Sequence, residues 1–390
     1  MKKNCMKYDF TRIIFISLFV TLFFQIIDVL FNTHLSLCGM GIFIFGIFYI
    51  KIKYGTINLK NFIFLFFALI AYFMMLLEEK DMISTLYPLL INVIIYIYMF
   101  NYFDIEYYKK KIDLIRNLIL FYLVINIIFY LSKNQLFVQY DGFYRFKAAL
   151  PHANMLAALM YSLLFINTLK KDKLKHIIDI LILIIVFLAS SRIYMFVAVI
   201  SYILLNYADV IKIKNIRNLI YGIIILTVIV SILIFNENSI YNYIVNTNTY
   251  KRVVFLDVNS DGRNDLVDYF SYVYNNSSIL NKIFGINNAQ LYYNLTNDSF
   301  SHSFTENSFM CVAITYGAIG ILAYISMFLL FIIKGIKNKI TKFSKITVKS
   351  FLIILMCFST YYQDVILSTQ LFMFYILALS ILMSNEKEVV

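Results

Sequence analysis

The chain alternates long apolar segments with short polar ones, and this alternation is its dominant pattern. A helix that crosses a lipid bilayer needs about 20 mostly apolar residues, and segments near that length recur along the whole sequence. The segment from Tyr361 to Asp364 is typical of a turn or of an interruption within a hairpin. We predict twelve spans, near residues 12–31, 35–50, 62–77, 84–101, 117–132, 150–168, 177–190, 193–207, 219–235, 307–333, 349–362 and 366–384.

Composition favours the same class of protein. Of 390 residues, 61% are hydrophobic and only 14% are charged, whereas soluble proteins carry about a quarter charged residues. The apolar run from Ile13 to Phe31 is too long for the core of a signal peptide, so we expect a retained first span. The four cysteines are scattered and predict neither a metal site nor a disulfide framework. The expected fold class is an all-α, polytopic integral membrane protein.

The distribution of positive charge predicts the orientation. With the N-terminus inside, the segments assigned to the cytoplasm hold 25 of the 34 Lys and Arg residues, and the other side holds 9. This asymmetry is typical of the positive-inside rule and places both termini in the cytoplasm. The net charge of +12 is therefore explained by topology, and it does not indicate nucleic-acid binding.

One long hydrophilic stretch, residues 236–305, interrupts the apolar pattern. It divides the chain into a membrane domain with nine spans (1–235), a large extracytoplasmic loop (236–305) and a membrane domain with three spans (306–390). The loop carries the cations Lys251, Arg252, Arg263 and Lys282. We expect the candidate chemistry to lie in this loop and at the outer ends of the neighbouring spans.

Four arginines are assigned to the outer side against the charge bias: Arg145, Arg192, Arg252 and Arg263. The planar guanidinium binds phosphate oxygens in pairs and stays charged, which suits a lipid-linked diphosphate at the headgroup level. The alternative is that these side chains only extend to the membrane interface or neutralise an acidic neighbour. Arg192 is the sharpest candidate because it lies in a very short turn between two spans.

The end of the loop contains two candidate bases, His302 and Glu306, which are four residues apart. This spacing places them on one face if the next helix begins early, where either could accept a proton from a sugar hydroxyl. The alternative is a helix start with Ser303, Thr305 and Glu306 as capping residues.

Acidic residues offer further interpretations. Asp257 to Asp268 has the spacing of a calcium-binding loop, but position 12 is Asp instead of Glu and no second site pairs with it. An Asx-rich turn before a short helix is the favoured interpretation, so we expect neither a metal nor a cofactor. Asp28 and Asp179 lie near predicted span ends, and both are interpreted as interfacial and not as part of an ion path, although Asp28 faces the outer side and could line a cavity.

Four pieces of the sequence together carry a family resemblance. They are Tyr144 to Lys147 followed by Pro151 to Ala157, the turn Ala189 to Arg192, Gly262-Arg263 with Phe284 to Ile286, and Glu306-Asn307 followed by Gly317 to Gly320. In this order and on this topology they resemble the bacterial O-antigen and capsule polymerase/ligase group, which contains the Wzy-type polymerases. The resemblance covers roughly residues 140–335.

The resemblance implies a metal-independent glycosyltransferase of the bacterial cytoplasmic membrane that uses undecaprenyl-diphosphate-linked oligosaccharide. Ligases of the group carry His where this chain has Glu306, which favours polymerisation of repeat units over ligation to lipid A-core. The implied partners are the lipid-linked donor and the bilayer, with a chain-length regulator and a flippase of the same pathway. The implied catalytic residues are Glu306, His302, Arg192 and Arg263, and the implied substrate-binding residues are Arg145, His152, Asn154, Asn307 and Arg252.

Two other classes of function stay open. A flippase for the same lipid-linked repeat also fits twelve spans, but it predicts related halves and charged residues deep in the bundle, and the sequence indicates neither. A non-catalytic membrane scaffold is the third possibility, in which the outer arginines are incidental.

Overall fold

The fold is mainly helical, which confirms the predicted fold class at that level. The computed structural model describes residues 2–76, 86–140, 144–150, 152–169, 172–207, 271–285, 308–337, 352–354, 356 and 369–383. Its longer helices are α1 (Lys2–Phe31), α2 (Leu37–Lys53), α3 (Leu59–Leu76), α4 (Leu86–Tyr102), α5 (Ile105–Leu131), α6 (Ala153–Ile166), α7 (Lys173–Leu188), α8 (Arg192–Tyr207), α9 (Ile279–Phe284), α10 (Ser308–Lys337) and α11 (Thr369–Met383).

Most predicted apolar segments correspond to these helices. Helices α1 and α5 begin earlier than predicted because polar residues extend them beyond their apolar parts. The predicted span 219–235 and the predicted domain boundaries at 235 and 305 lie outside the described residues, as does most of 349–362. The number of spans and the orientation therefore stay predictions.

Polar side chains fix several helix ends. The carboxylate of Asp104 accepts a hydrogen bond from the Glu106 backbone at the start of α5, and the Asp104 backbone donates to Thr11 Oγ1 of α1 over 2.8 Å. Asp172 caps α7 by accepting from the Lys175 backbone N–H. These contacts satisfy backbone donors that a helix start leaves unpaired.

The centre of the bundle is α6, which packs against α7, α8 and α11. Every residue of α6 except Asn154 and Met155 is buried, and α11 is buried from residue 371 to residue 383. A helix that is apolar on all sides is buried from water. Although about 200 residues separate them in the sequence, α6 and α11 form the middle of the structure.

A short β-hairpin adjoins this core, and the sequence did not predict it. Strand β1 (Val138–Tyr140) pairs antiparallel with strand β2 (Tyr144–Phe146), with Gln139 opposite Arg145. The hairpin connects α5 to α6, and Phe137 and Phe146 beside it are buried. It therefore holds Arg145 next to the core.

Several helices expose apolar faces on the outside of the bundle. On α3 the exposed side chains include Phe62, Phe66, Phe67 and Phe73, while Leu65 is buried. Among the described helices, Cys5–Phe31 and Ile105–Leu131 are long and apolar enough to cross a membrane by length and composition. Exposed faces of this kind are unusual on proteins surrounded by water.

Candidate functional site

Arg145 joins three separate parts of the chain. Its side chain is only 1% exposed. The Nε atom donates a hydrogen bond to the carbonyl oxygen of Ala189 over 3.2 Å, and an Nη atom donates to Oδ1 of Asn154. Strand β2, the start of α6 and the α7–α8 turn therefore meet at one charged group. We call Arg145, Asn154 and the turn 189–192 the arginine cluster.

The turn between α7 and α8 is tight and internally bonded. Ala189 is the C-cap of α7, and Ser190 has a left-handed φ of 52° while its backbone N–H donates to the Phe187 carbonyl over 3.0 Å. Ser190 and Ser191 are buried. The next residue, Arg192, begins α8 and is partly exposed. The turn therefore presents Arg192 while its own backbone is held in place.

Arg192 lies at the N-terminus of α8, where its charge adds to that of the helix end. The N-terminus of a helix carries a partial positive charge, which favours anions and disfavours cations. An arginine in the first turn adds to that positive potential and makes the location attractive to a phosphate. Arg192 is three residues after Ala189, so its Cα lies within about 11 Å of the Ala189 Cα. The positive site therefore lies close to Arg145.

Two other predicted residues lie at the start of α6. His152 is the N-cap residue and is exposed, and its side chain does not cap the helix. Asn154 is half-buried and accepts from Arg145. The cluster thus brings together predicted residues from two of the four motif pieces, while a direct contact of Arg145 with a ligand stays a prediction. The burial of Arg145 favours a role in positioning the turn.

The remaining candidates lie outside the described residues. These are Arg252, Arg263, His302, Glu306 and Asn307, together with the calcium-like segment 257–268. Their predicted roles stay predictions. Within the part of the chain that the structure describes, no group of three or more His, Cys, Asp or Glu residues could hold a metal ion.

A second polar cluster was missed by the sequence analysis. Arg116 of α5 is fully buried and forms an ion pair with Asp172 at 2.8 Å. Its Nε also donates to Oδ1 of Asn167 over 3.0 Å, and an Nη atom donates to the Asn167 carbonyl. Asn167 follows α6 and Asp172 precedes α7, so one guanidinium joins α5 to the connection between these helices.

The same cluster continues into α7 and α8. Lys175 and Asp179 form a buried ion pair at 2.7 Å. Asn167 donates to the other oxygen of Asp179 over 2.7 Å, and Lys175 donates to Oδ1 of Asn206. We call Arg116, Asn167, Asp172, Lys175, Asp179 and Asn206 the polar joint. Asp179 is fully buried within the protein and paired, while its interpretation as interfacial stays a prediction. Its spacing of four residues from Lys175 was the available signal.

The two clusters lie at opposite ends of α7. The polar joint contains residues of its first turns, and the arginine cluster follows its last residue. A helix of 16 residues is about 24 Å long. The length of α7 between the two clusters is therefore close to the thickness of the apolar layer of a bilayer.

Asp28 has a local structural role. Its carboxylate accepts hydrogen bonds from the backbone N–H groups of Leu35 and Ser36 and from the hydroxyl of Thr33, at 2.6 to 2.9 Å. These contacts shape the connection from α1 to α2. The carboxylate is therefore engaged by the chain itself.

Comparisons with known proteins identify no relatives. No family model, no curated protein and no solved structure matches the chain. The function is therefore argued from the residues and their geometry.

Proposed function

We propose that the chain is a membrane-embedded glycosyltransferase that polymerises undecaprenyl-diphosphate-linked oligosaccharide repeats into O-antigen or capsular polysaccharide. The observation that carries the proposal is the contact of Arg145 with Asn154 and with the Ala189 carbonyl. The contact with Ala189 joins two motif pieces across 44 residues of sequence, next to an arginine at a helix N-terminus. Such a site suits a diphosphate.

The proposed setting is the bacterial cytoplasmic membrane, with about twelve spans and both termini in the cytoplasm. The exposed phenylalanines of α3 support a lipid environment, because large apolar faces are stable against hydrocarbon and costly in water. The lengths of α1 and α5 agree with it. With this orientation the arginine cluster lies on the outer side and the polar joint lies on the inner side.

In the proposed reaction, an acceptor sugar hydroxyl attacks the anomeric carbon of the donor chain. The new bond is the glycosidic C–O bond, and the bond that breaks joins the anomeric carbon to the lipid diphosphate, which leaves with the bonding electrons. Glu306 or His302 accepts the hydroxyl proton. Arg192, with Arg263 from the loop, stabilises the charge that develops on the diphosphate.

The other residues orient the reactants in this proposal. Arg145 and Asn154 hold the turn so that Arg192 is fixed before the substrate binds, which avoids reorganisation during the reaction. His152, Asn307 and Arg252 contact the sugar chains or the second phosphate. A guanidinium that is already held in place stabilises the diphosphate charge more than a mobile one, because little side-chain entropy is lost when its hydrogen bonds form.

The test is complementation of a strain that lacks the chain, with the length of the polysaccharide measured on a gel. Arg192→Ala and Glu306→Gln are expected to produce single repeats, whereas Arg192→Lys retains the charge and should recover only part of the polymer. Lys133→Gln is the matched control, because Lys133 is an exposed cation beside the hairpin and should leave the polymer unchanged. Long polysaccharide from Arg192→Ala at normal protein levels contradicts the proposal.

A second candidate function is a flippase for the same lipid-linked repeat. The polar joint bears on it, because a flippase predicts charged residues within the bundle and the joint contains buried ion pairs. The described charges of the joint are paired with one another, which suits a fixed connection better than an ion path. The two functions are distinguished by the leaflet in which single lipid-linked repeats accumulate when the chain is missing. Loss of a polymerase leaves them on the outer leaflet, and loss of a flippase leaves them on the inner leaflet.

A further inference from the structure

The short helix α9 exposes a continuous apolar face. Ser278 caps it by accepting a hydrogen bond from the Asn281 backbone, and Gly285 ends it. Its polar residues, Asn281 and Lys282, lie on the opposite side at 100° per residue. The apolar side chains retain large exposed fractions in the complete chain: Ile279 75%, Leu280 67%, Ile283 38% and Phe284 59%. This helix is amphipathic, and its apolar face lies outward.

The polar side of α9 is bound to the segment before it. Lys282 Nζ donates to the carbonyl oxygen of Asn275 over 2.6 Å, and the Tyr274 hydroxyl donates to the Lys282 carbonyl over 3.3 Å. These contacts fix which side of α9 faces the preceding residues Tyr274 and Asn275. The outward orientation of the apolar face is therefore built into the segment 271–285.

The end of α9 rests on a break in α10. Gly317 interrupts α10 with φ 64° and ψ −162°, and Gly285 has φ 95° and ψ 165°. A Cβ atom on Gly317 would lie 2.3 Å from the Ile283 carbonyl oxygen and 2.6 Å from the Gly285 nitrogen. We call this approach of two backbones the glycine contact. It holds α9 at one defined height along α10.

The glycine contact lies where the exposed apolar part of α10 begins. From Ala318 to Ile333, the last residue before the first lysine of α10, the helix has 16 residues and is about 24 Å long, which is close to the hydrocarbon thickness of a bilayer. Beginning two residues after the break, this part of α10 exposes a stripe of large apolar side chains: Ile319, Leu322, Ile325, Leu329, Leu330 and Ile333. The end of α9 therefore lies at the height along α10 at which this stripe begins.

We propose that α9 is an interfacial anchor whose apolar face enters the outer leaflet of the bilayer. The occupant of this face is lipid hydrocarbon, because the face is exposed at the height at which the exposed stripe of α10 begins and carries the amphipathic pattern of helices that lie in the membrane interface. The inference rests on the membrane setting of the proposed function. It assigns the segment 271–285 the role of holding the extracytoplasmic loop at the level of the lipid headgroups, where a lipid-linked diphosphate is located.

Because the chain contains no tryptophan, the fluorescence of a single introduced tryptophan reports the environment of one chosen position. Ile279→Trp places a single indole on the apolar face. Asn281→Trp, two residues and about 200° further around the helix, places it on the polar face. Phe66→Trp on the exposed face of α3 is the reference for a lipid-facing position. The full-length variants are reconstituted in phosphatidylcholine vesicles, and quenching by brominated lipids is compared with quenching by aqueous iodide.

We expect brominated lipid to quench Ile279→Trp about as strongly as Phe66→Trp and several-fold more than Asn281→Trp, with the reverse order for iodide. Quenching of Ile279→Trp by iodide, or by neither agent, overturns the anchor if Phe66→Trp is still quenched by lipid. Failure of Phe66→Trp to be quenched by lipid refutes the membrane setting and with it the proposed function. Phe284→Trp, a conservative change on the same face, repeats the measurement if Ile279→Trp does not fold.

Discussion

Replacing Gly317 by alanine tests the glycine contact. The backbone angles of Gly317 lie in a region that essentially only glycine adopts. In addition, the new Cβ would lie 2.3 Å from the Ile283 carbonyl oxygen, which is 0.7 Å closer than the 3.0 Å below which such contacts essentially never occur. Because the neighbouring atoms are backbone atoms, α9 or α10 has to move to accommodate the methyl group.

The structure sets the expected magnitude and supplies a control. Unfavourable backbone angles cost about 1–3 kcal/mol and overpacking costs about 1–3 kcal/mol more, so Gly317→Ala should lower the free energy of unfolding by about 2–6 kcal/mol. Gly55 also has a positive φ, 61°, but a Cβ there meets nothing within 4 Å. Gly55→Ala should therefore lose only about 1–2 kcal/mol.

Two measurements distinguish local from general destabilisation. Thermal unfolding of the reconstituted protein, followed by tyrosine fluorescence, gives the relative stabilities of the two variants. Limited tryptic cleavage after Lys282 reports whether α9 has left α10, and it should accelerate in Gly317→Ala but not in Gly55→Ala. Equal stabilities and equal cleavage rates for the two variants would falsify the account of the glycine contact.

Two further predictions concern the polar clusters. Asp179→Asn leaves the buried ammonium of Lys175 without its carboxylate, so it should lower the free energy of unfolding by about 3–5 kcal/mol. Combining Asp179→Asn with Lys175→Met removes the unpaired charge and should be milder in the same thermal assay; a double variant as unstable as the single one contradicts the pairing argument. Arg145→Lys loses the planar fork whose Nε and Nη donate to the Ala189 carbonyl and to Asn154, so polymer length on the complementation gel should decrease as it does for Arg192→Ala. Polymer of normal length from Arg145→Lys refutes the positioning role.

The sequence was sufficient to predict where most of the described long helices lie, but not which of them are neighbours. Long apolar runs determine helix positions because each run has to be shielded from water. The runs resemble one another, however, so the contact of α6 with α11 could not be predicted from their pattern. The three-residue strands of the hairpin were missed because so short a pairing leaves almost no periodic signal.

The candidate site was predicted in part. The sequence selected Arg145, Asn154 and Arg192 as separate candidates, and the structure adds the hydrogen bonds that join Arg145 to Asn154 and to the turn before Arg192. The buried pairing of Asp179 was missed because a polar residue near the end of an apolar run can face either water or a partner. Only the positions of Lys175, Asn167 and Asn206 in space decide between these alternatives.

The central location of α6 has a consequence for biosynthesis. Helix α6 packs against α7, α8 and α11. Of these, α7 and α8 follow it directly in the chain. The third, α11, is translated only after roughly 200 more residues. Until α11 has been synthesised, one flank of α6 lacks this neighbour and, in the proposed membrane setting, faces lipid or the insertion machinery.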